Sequence, residues 1–478
     1  MKQVKEGKIT AELLEGFLKN KICVEPAPKI GYRHLQVFLY FLLCFIGFGF
    51  RVILSVAIVA MTDPNTNPNP NIPTYPEWQD KNVILSAFFW GYMLPQVFAG
   101  WAARRFGAKW FLVTTFAVNS VAGFLTPMAA AQFGSKGVML IRVAQGLTQG
   151  FMYPSVTHLM SQWVPVEERS RLSTIVYAAG SAGTIVAMFV SGLISASPYG
   201  WPMVFYLYGG LGIIWCVLMA LLGHDSPSIH PYISKAEQFY IERSLMHNMD
   251  KGNHPTPWKA ILTSSKVWAL LLAMIGNNYT WWTLLTQIPS YMNSVMHFDI
   301  KNNSLLSSLP YLTLWILSFG VGFSSDYIIN KGLLERTTSR KVFNSFGMYL
   351  PAIALVILGY TRSDEPIRGV ALLIAAVSTN AFHFAGFSPN SMDLSPNHAG
   401  AIMGLGGLSQ FTGVIAPLVV QAVVTDPTNP VHWRYVFFIS AGLCVITATI
   451  FNIFATAKEQ TWNNEEEKQD LENYLKKI

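Results

Sequence analysis

Twelve stretches of about 20 mostly apolar residues run along this chain, over 35–60, 82–102, 110–131, 138–162, 172–196, 202–222, 267–292, 305–325, 342–360, 369–388, 399–424 and 433–457. Segments that long and apolar leave almost no choice of fold. In lipid every backbone N–H and C=O must be satisfied within the segment, which a helix does and a lone strand does not. The expectation is an all-α multipass membrane protein with 12 transmembrane helices. Only 12% of the 478 residues are charged, where a soluble protein carries roughly 25%, so a string of soluble domains is excluded. The longest polar run separates segments six and seven. It divides the chain into a cytoplasmic N-terminal tail (1–34), a first six-helix half (35–222), a central cytoplasmic loop (223–266), a second half (267–457) and a cytoplasmic C-terminal tail (458–478).

Sidedness follows from the basic residues. Of the 33 Lys and Arg, Lys81, Lys136, Lys301, Arg362, Arg368 and Arg434 fall in one set of alternate loops, and Arg51 and Arg142 fall inside spans. All the others lie in the opposite loops and the tails, which predicts that both termini are cytoplasmic. Most of the net charge of +7 is therefore an orientation signal, and no nucleic-acid partner is expected. The first 30 residues are polar and lysine-bearing, without the apolar core and cleavage site of a secretory signal, so the first span is expected to insert the chain. Cys23, Cys44, Cys216 and Cys444 are too scattered for a disulfide framework or a zinc site and are expected as free thiols.

The halves repeat each other weakly. Trp201-Pro-Met-Val-Phe-Tyr opens segment six and Trp433-Arg-Tyr-Val-Phe-Phe opens segment twelve, with Gly210 and Gly442 at matching distances. Gly150-Phe-Met-Tyr-Pro-Ser in segment four likewise resembles Gly386-Phe-Ser-Pro-Asn-Ser in segment ten. Two parallel six-helix halves with a site near the midplane where they meet resemble the major facilitator fold.

Arg51 and Arg142 are the residues that most demand an explanation. A guanidinium at mid-membrane costs about 2.5–3.5 kcal/mol on insertion scales, and no Asp or Glu lies deep in any of the twelve segments to neutralise it. Two buried cations without buried anions favour an anionic ligand from solution, held by charge-assisted hydrogen bonds. The competing reading is that each arginine caps backbone carbonyls or marks a misplaced boundary. Tyr153, Asn277, Asn278, Asn390 and Ser391 are placed to shape the rest of such a pocket. Pro154 and Pro389 predict kinks whose freed carbonyls could line a cavity.

Other residues admit two readings. His383, among Phe382, Phe384 and Phe387, and His158 are the histidines well inside spans; His383 reads equally as a proton relay or an interhelical hydrogen bond, and His158 as the latter. Gly100-Trp-Ala-Ala-Arg-Arg-Phe-Gly-Ala-Lys joins segments two and three, and Gly322-Phe-Ser-Ser-Asp-Tyr joins eight and nine. Arg104 and Asp326 in these turns are candidate gate residues, Asp326 reading as well as a solvated local cap. Gly180-Ser-Ala-Gly and Gly404-Leu-Gly-Gly read as helix-packing faces. The sequon Asn302-Asn303-Ser304 lies between segments seven and eight, on the non-cytoplasmic side, and is a candidate for glycosylation. A second match at Asn278 lies inside a span and should stay unmodified.

Taken together the chain resembles solute carrier family 17, the anion transporters that include sialin, the vesicular glutamate transporters and the type I sodium-phosphate cotransporters. The stretches that carry the resemblance are Arg51-Val-Ile-Leu-Ser-Val-Ala-Ile-Val-Ala-Met, Phe88-Phe-Trp-Gly-Tyr, Arg142-Val-Ala-Gln-Gly, Tyr153-Pro, Trp163-Val-Pro-Val-Glu-Glu-Arg-Ser-Arg-Leu and Met392-Asp-Leu-Ser-Pro. The resemblance implies anion transport by alternating access, with Arg51 and Arg142 matching family arginines tied to substrate binding and coupling. It also implies departures. Proton-using members have a glutamate where this chain has Gln149, an amide that cannot titrate. The glutamate transporters have histidines where this chain has Leu85 and Ser391, and an arginine near Asn277. Strict vesicular glutamate transport is therefore not expected, and His383 or a co-transported cation stands in for the missing carboxyl.

The reading from sequence is a secondary transporter of a small organic or inorganic anion, with a proton or sodium as the candidate co-transported ion. A potential-driven or passive facilitator, favoured by Gln149, and a non-transporting receptor-like member are the alternatives. No phosphate loop, metal cluster or nucleophile elbow marks an enzyme, and no cofactor is implied. The plasma membrane and a vesicular or lysosomal membrane both fit.

Overall fold

The computed structural model describes residues 30–64, 69–249, 256–298, 300–362, 364–395 and 398–464. Among them all regular structure is helical. The first half holds α1 (Tyr32–Thr62), α2 (Lys81–Phe106), α3 (Ala108–Gln149), α4 (Met152–Trp163), α5 (Val166–Ser195) and α6 (Gly200–Leu222). The central segment forms α7 (Lys235–Met249) and α8 (Trp258–Thr263). The second half holds α9 (Ser265–Ser294), α10 (Ile300–Asn330), α11 (Arg336–Gly359), α12 (Pro366–Ser378), α13 (Asn390–Leu394), α14 (Ala399–Gly406), α15 (Thr412–Val423) and α16 (Pro430–Phe454).

Local sequence explains where helices start and break. Pro430 opens α16 behind Asn429, whose side chain accepts from Val431 N at 3.0 Å, a cap that satisfies one of the orphan N–H groups. Segments three and four are joined as one hydrogen-bonded run in α3, turned at Gly134, where φ is 61°, a conformation that glycine adopts without a Cβ penalty. Segment four breaks at Gly150–Phe151, and Pro154 sits in the first turn of α4, where its missing N–H costs nothing. Segment ten leaves the α-helical form after Ser378, passes through a 3-10 turn over Thr379–Phe384, and resumes at Asn390 directly after Pro389.

Nine stretches among the described residues are long and apolar enough to cross a membrane, the longest being Ala108–Trp163. The helix α9 is not one of them, because Asn277, Asn278, Thr280, Thr283, Thr286 and Gln287 dilute it. A span that tolerates so many polar groups faces the protein interior. Outward, Leu140, Leu221, Ile316, Phe323, Ile353 and Ile453 are exposed, as expected of side chains whose solvent is lipid.

Each half has its own core, and the core of the second half extends across the interface to Val52, Val56, Phe88, Phe89 and Tyr92 of α1 and α2. The halves meet along α5 with α10, α2 with α15, and α1 with α9. At the end opposite the termini they are bridged by Gln421 Nε2, which donates to Gln79 O at 2.8 Å.

On the terminal side each half is closed by the chain that leaves it. Beneath the first half, Trp163 Nε1 donates to His224 O at 2.7 Å and Gln36 Nε2 to Leu222 O at 2.8 Å. Glu237 of α7, which is 1% exposed, accepts from Tyr32 N and Arg33 N at the start of α1 and from the Arg33 guanidinium, each at 3.1 Å. Beneath the second half, residues after α16 fold back. Gln460 N donates to Leu394 O at 2.9 Å, and Ser395 Oγ to Asn463 Oδ1. The first residues of the stretch expected as a C-terminal tail from 458 are packed under the second half as far as Asn463, with Trp462 buried.

Candidate functional site

The site is built where α1, α2 and the later part of α3 cross. Gly91 faces the backbone of Val143, and Gly146 the backbone of Phe88, so tightly that a Cβ on either would collide with main chain. That approach brings Arg142 of α3 against the backbone of α1 and places Phe88 of α2 beside both arginines. Small residues at such crossings give packing contact where no hydrophobic driving force separates helix from lipid.

The two arginines differ sharply. Arg142, 2% exposed, donates from one terminal nitrogen to Phe50 O at 3.0 Å and to Gln145 Oε1 at 3.1 Å, and from the other to Arg51 O at 3.1 Å. It ties α3 to α1 by backbone carbonyls. Arg51, 6% exposed, keeps Nε and Nη2 buried without a hydrogen-bond partner. Its guanidinium lies 4.6 Å from the Phe48 ring centre, 5.3 Å from Phe88, 4.4 Å from Tyr92 and 5.5 Å from Trp282. Three of those rings come from the first half and Trp282 comes from α9 in the second. Trp282 also packs edge-on against Phe89 at 4.6 Å. Ring faces attract a cation, but they leave its donors unused.

The other residues singled out from sequence separate into near and far. Tyr153 stands edge-on to Phe48 at 6.0 Å and beside Tyr177 at 5.8 Å, one ring removed from Arg51. Asn277 is 5% exposed with its Oδ1 unpartnered. Asn278 instead donates to Ser409 Oγ, which makes it a link between α9 and the 3-10 turn before α15. Asn390 donates to Thr456 O at 2.9 Å and anchors the chain after α16, with buried Ser391 beside it. Gln149 donates to Asn119 Oδ1 at 3.4 Å, an amide pair in which neither partner titrates. His383 Nδ1 bonds Asn380 O at 2.6 Å while its ring packs on Phe384 and Phe387. Asn302 is exposed in the first turn of α10, where a loop was expected. The side chains of Arg104 and Asp326 lie outside the described residues. Cys44, Cys216 and Cys444 are free and buried.

Sequence reasoning missed the rings. Phe88 and Tyr92 lie at four-residue spacing on α2, which puts them on one helix face, but nothing in the chain announced that they, Phe48 and Trp282 converge on Arg51. The internal acid–base cluster at the foot of α1 was missed as well. There Arg33 binds both oxygens of Glu168, at 2.8 and 3.1 Å, and also Glu237.

A two-half helical bundle with a buried, unsatisfied cation at its central seam is the architecture of a membrane carrier. The family model described as Major Facilitator Superfamily matches residues 37–417, and the chain belongs to that superfamily. Within it the chain falls among the relatives of sialin and the vesicular glutamate transporters. Sialin of Ovis aries is 33% identical over 461 residues, 92% of each chain. Vesicular glutamate transporter 1 of Xenopus tropicalis is 34% identical over 440 residues, 89% of this chain and 75% of that one. A Drosophila melanogaster protein named "Putative inorganic phosphate cotransporter" is 35% identical over 468 residues, 93% and 88% of the two chains. The fold matches the inward-open xylose transporter XylE from E. coli with a TM-score of 0.69 at 12% identity, over 89% of this chain and 96% of that one.

Proposed function

We propose that this protein carries a small anion across a membrane by alternating access, the two halves rocking about a site at Arg51. The observation that carries the reading is the buried Nε and Nη2 edge of Arg51, unpartnered in a layer where ring faces are its neighbours. A buried cation with unused donors is costly until a counter-charge arrives, and a bidentate anion supplies both charge and acceptors. Arg142 serves as a positioning residue, since its bonds to the carbonyls of Phe50 and Arg51 fix the backbone from which Arg51 projects. The names of the relatives support the anionic class.

Trp282 and Phe89 form the seam between the halves at this level, and Gln79 with Gln421 forms it at the far end. Opening that end separates these contacts and exposes Arg51 to the other face. The distribution of basic residues supports cytoplasmic termini; on that reading the bridged end faces away from the cytoplasm, and the carrier sits in the plasma membrane or a vesicular or lysosomal membrane. On this account Asn277 and Tyr153 border the pocket, while Asn278, Asn390 and Ser391 serve structure.

The test is uptake into liposomes bearing the purified protein, screened with phosphate, urate, sialate, acidic amino acids and nucleotides at two pH values. Uptake of at least one anion should disappear in Arg51→Ala; unchanged uptake would refute the site. Coupling has two readings. Co-transport with a proton or sodium predicts uptake that follows an imposed pH or sodium gradient and changes in His383→Ala. The Gln149–Asn119 amide pair favours the second, a facilitator driven by membrane potential, for which neither gradient matters.

A further inference from the structure

We infer, on the footing of that anion-carrier reading, that the transported species is an amphipathic organic monoanion, one carboxylate on a flat apolar body, rather than inorganic phosphate. Three observations converge. The first is the number of free cationic edges. Arg142 spends both terminal nitrogens on Phe50 O, Arg51 O and Gln145 Oε1 and keeps only a single buried N–H, at Nε, unpartnered, so the one side-on pair of vacant donors on the two arginines is Nε with Nη2 of Arg51. Two parallel N–H donors match the two oxygens of one carboxylate.

The second is the wall. Phe48, Phe88, Tyr92 and Trp282 all turn toward that guanidinium within 5.5 Å. Ring faces carry partial negative charge, so they accept a flat apolar body and disfavour further oxygens. Inorganic phosphate brings four oxygens and up to two charges, and those not facing Arg51 would meet ring faces, where the Trp282 N–H and the Tyr92 hydroxyl are too few donors to satisfy them.

The third is Trp282 itself. The buried Trp163, Trp201 and Trp215 each give their indole N–H to a backbone carbonyl, at 2.7, 2.9 and 2.8 Å. Trp282, 3% exposed, has its Nε1 buried and unpartnered. It is a spare donor contributed by the second half, beside the spare edge of Arg51 from the first. A carboxylate seated on Arg51 with its body against Trp282 would touch both halves, as a ligand must if it is to couple to their rocking.

The experiment uses the full chain in liposomes and three probes: benzoate, gluconate as a polar carboxylate, and inorganic phosphate. The inference expects a half-saturation concentration for benzoate at least about tenfold below that for gluconate, and phosphate uptake at the protein-free background. Trp282→Ala should raise the benzoate value about tenfold and leave gluconate within about twofold, while Trp282→Phe keeps most of the preference. Gluconate or phosphate preferred over benzoate, with uptake still abolished by Arg51→Ala, overturns the inference and leaves the anion carrier standing. Uptake of all three unaffected by Arg51→Ala removes the anion-carrier reading as well. Should Trp282→Ala fail to fold, the ranking of the three probes on the unaltered protein decides the matter.

Discussion

Arg51 and Arg142 carry the same charge in the same layer, yet their surroundings give them separate work. Arg142 gives both terminal nitrogens to the protein, to carbonyls of α1 and to Gln145, with only Nε unpartnered, whereas Arg51 is enclosed by rings with its Nε and Nη2 edge unused. The rarity of charge in a span made both visible from sequence. Which of them faced a ligand depended on the α1–α3 crossing, which no local pattern encodes. The pair makes a clean comparison. Arg142→Lys leaves one point donor where a planar fork met two carbonyls, at a cost of about 1–3 kcal/mol, so thermal unfolding in detergent should shift downward and transport should weaken with it. Arg51→Lys breaks no hydrogen bond to the protein, so its unfolding temperature should stay near that of the parent while uptake falls by about tenfold or more. Equal shifts in unfolding temperature for the two variants would contradict the division of roles.

At the scale of elements, glycines decide how near the arginines can come. Gly146 faces the backbone of Phe88, so Gly146→Val must push α2 from α3; such overpacking costs about 1–3 kcal/mol. Reduced yield of folded protein and lost uptake are expected, and a variant with normal yield and transport would show that the crossing is not what sets the site. The foot of the first half offers a pH test. Burial, with His224 next to it, holds the His230 imidazole below its ordinary pKa, and Glu237 opposes this in part. Tyr32, Trp163 and Tyr232 pack around the ring. The folded state therefore prefers neutral His230. Its stabilisation is complete above the unfolded value of about 6.5 and is lost as pH falls below it toward the folded value. The protection of Lys235–Met249 against hydrogen exchange, taken relative to the intrinsic exchange rate at each pH, should fall as the pH drops through that window and should lose most of that pH dependence in His230→Gln. Protection that rises on acidification would reverse the sign and refute the assignment.

For the whole molecule, periodic apolar length fixed the helical class and the two halves, because lipid leaves the backbone no alternative. Kinks were expected at Pro154 and Pro389, and the helical run is interrupted ahead of each, at Gly150–Phe151 in segment four and from Thr379 to Pro389 in segment ten. Long-range pairing was not legible. Asn278 and Asn390 looked like pocket residues from their depth in the chain, but their partners, Ser409 and Thr456, lie far away in sequence. The fold-back to Asn463 was hidden for the same reason, since its contacts are with Leu394 and Ser395. Topology can be checked at Asn302, which is exposed at the end away from the termini. Glycosidase treatment of protein from a secretory-competent host should shift its mobility, and Asn302→Gln should remove the shift; modification that persists in the variant would place the glycan elsewhere.

The central claim is that Arg51 receives the carried anion. A structure of the protein with its best-transported anion bound tests it directly. The account predicts two anion oxygens within about 3 Å of Nε and Nη2 of Arg51, with the carbonyl bonds of Arg142 intact. An anion bound at another group, with Arg51 still enclosed by Phe48, Phe88, Tyr92 and Trp282, would contradict it.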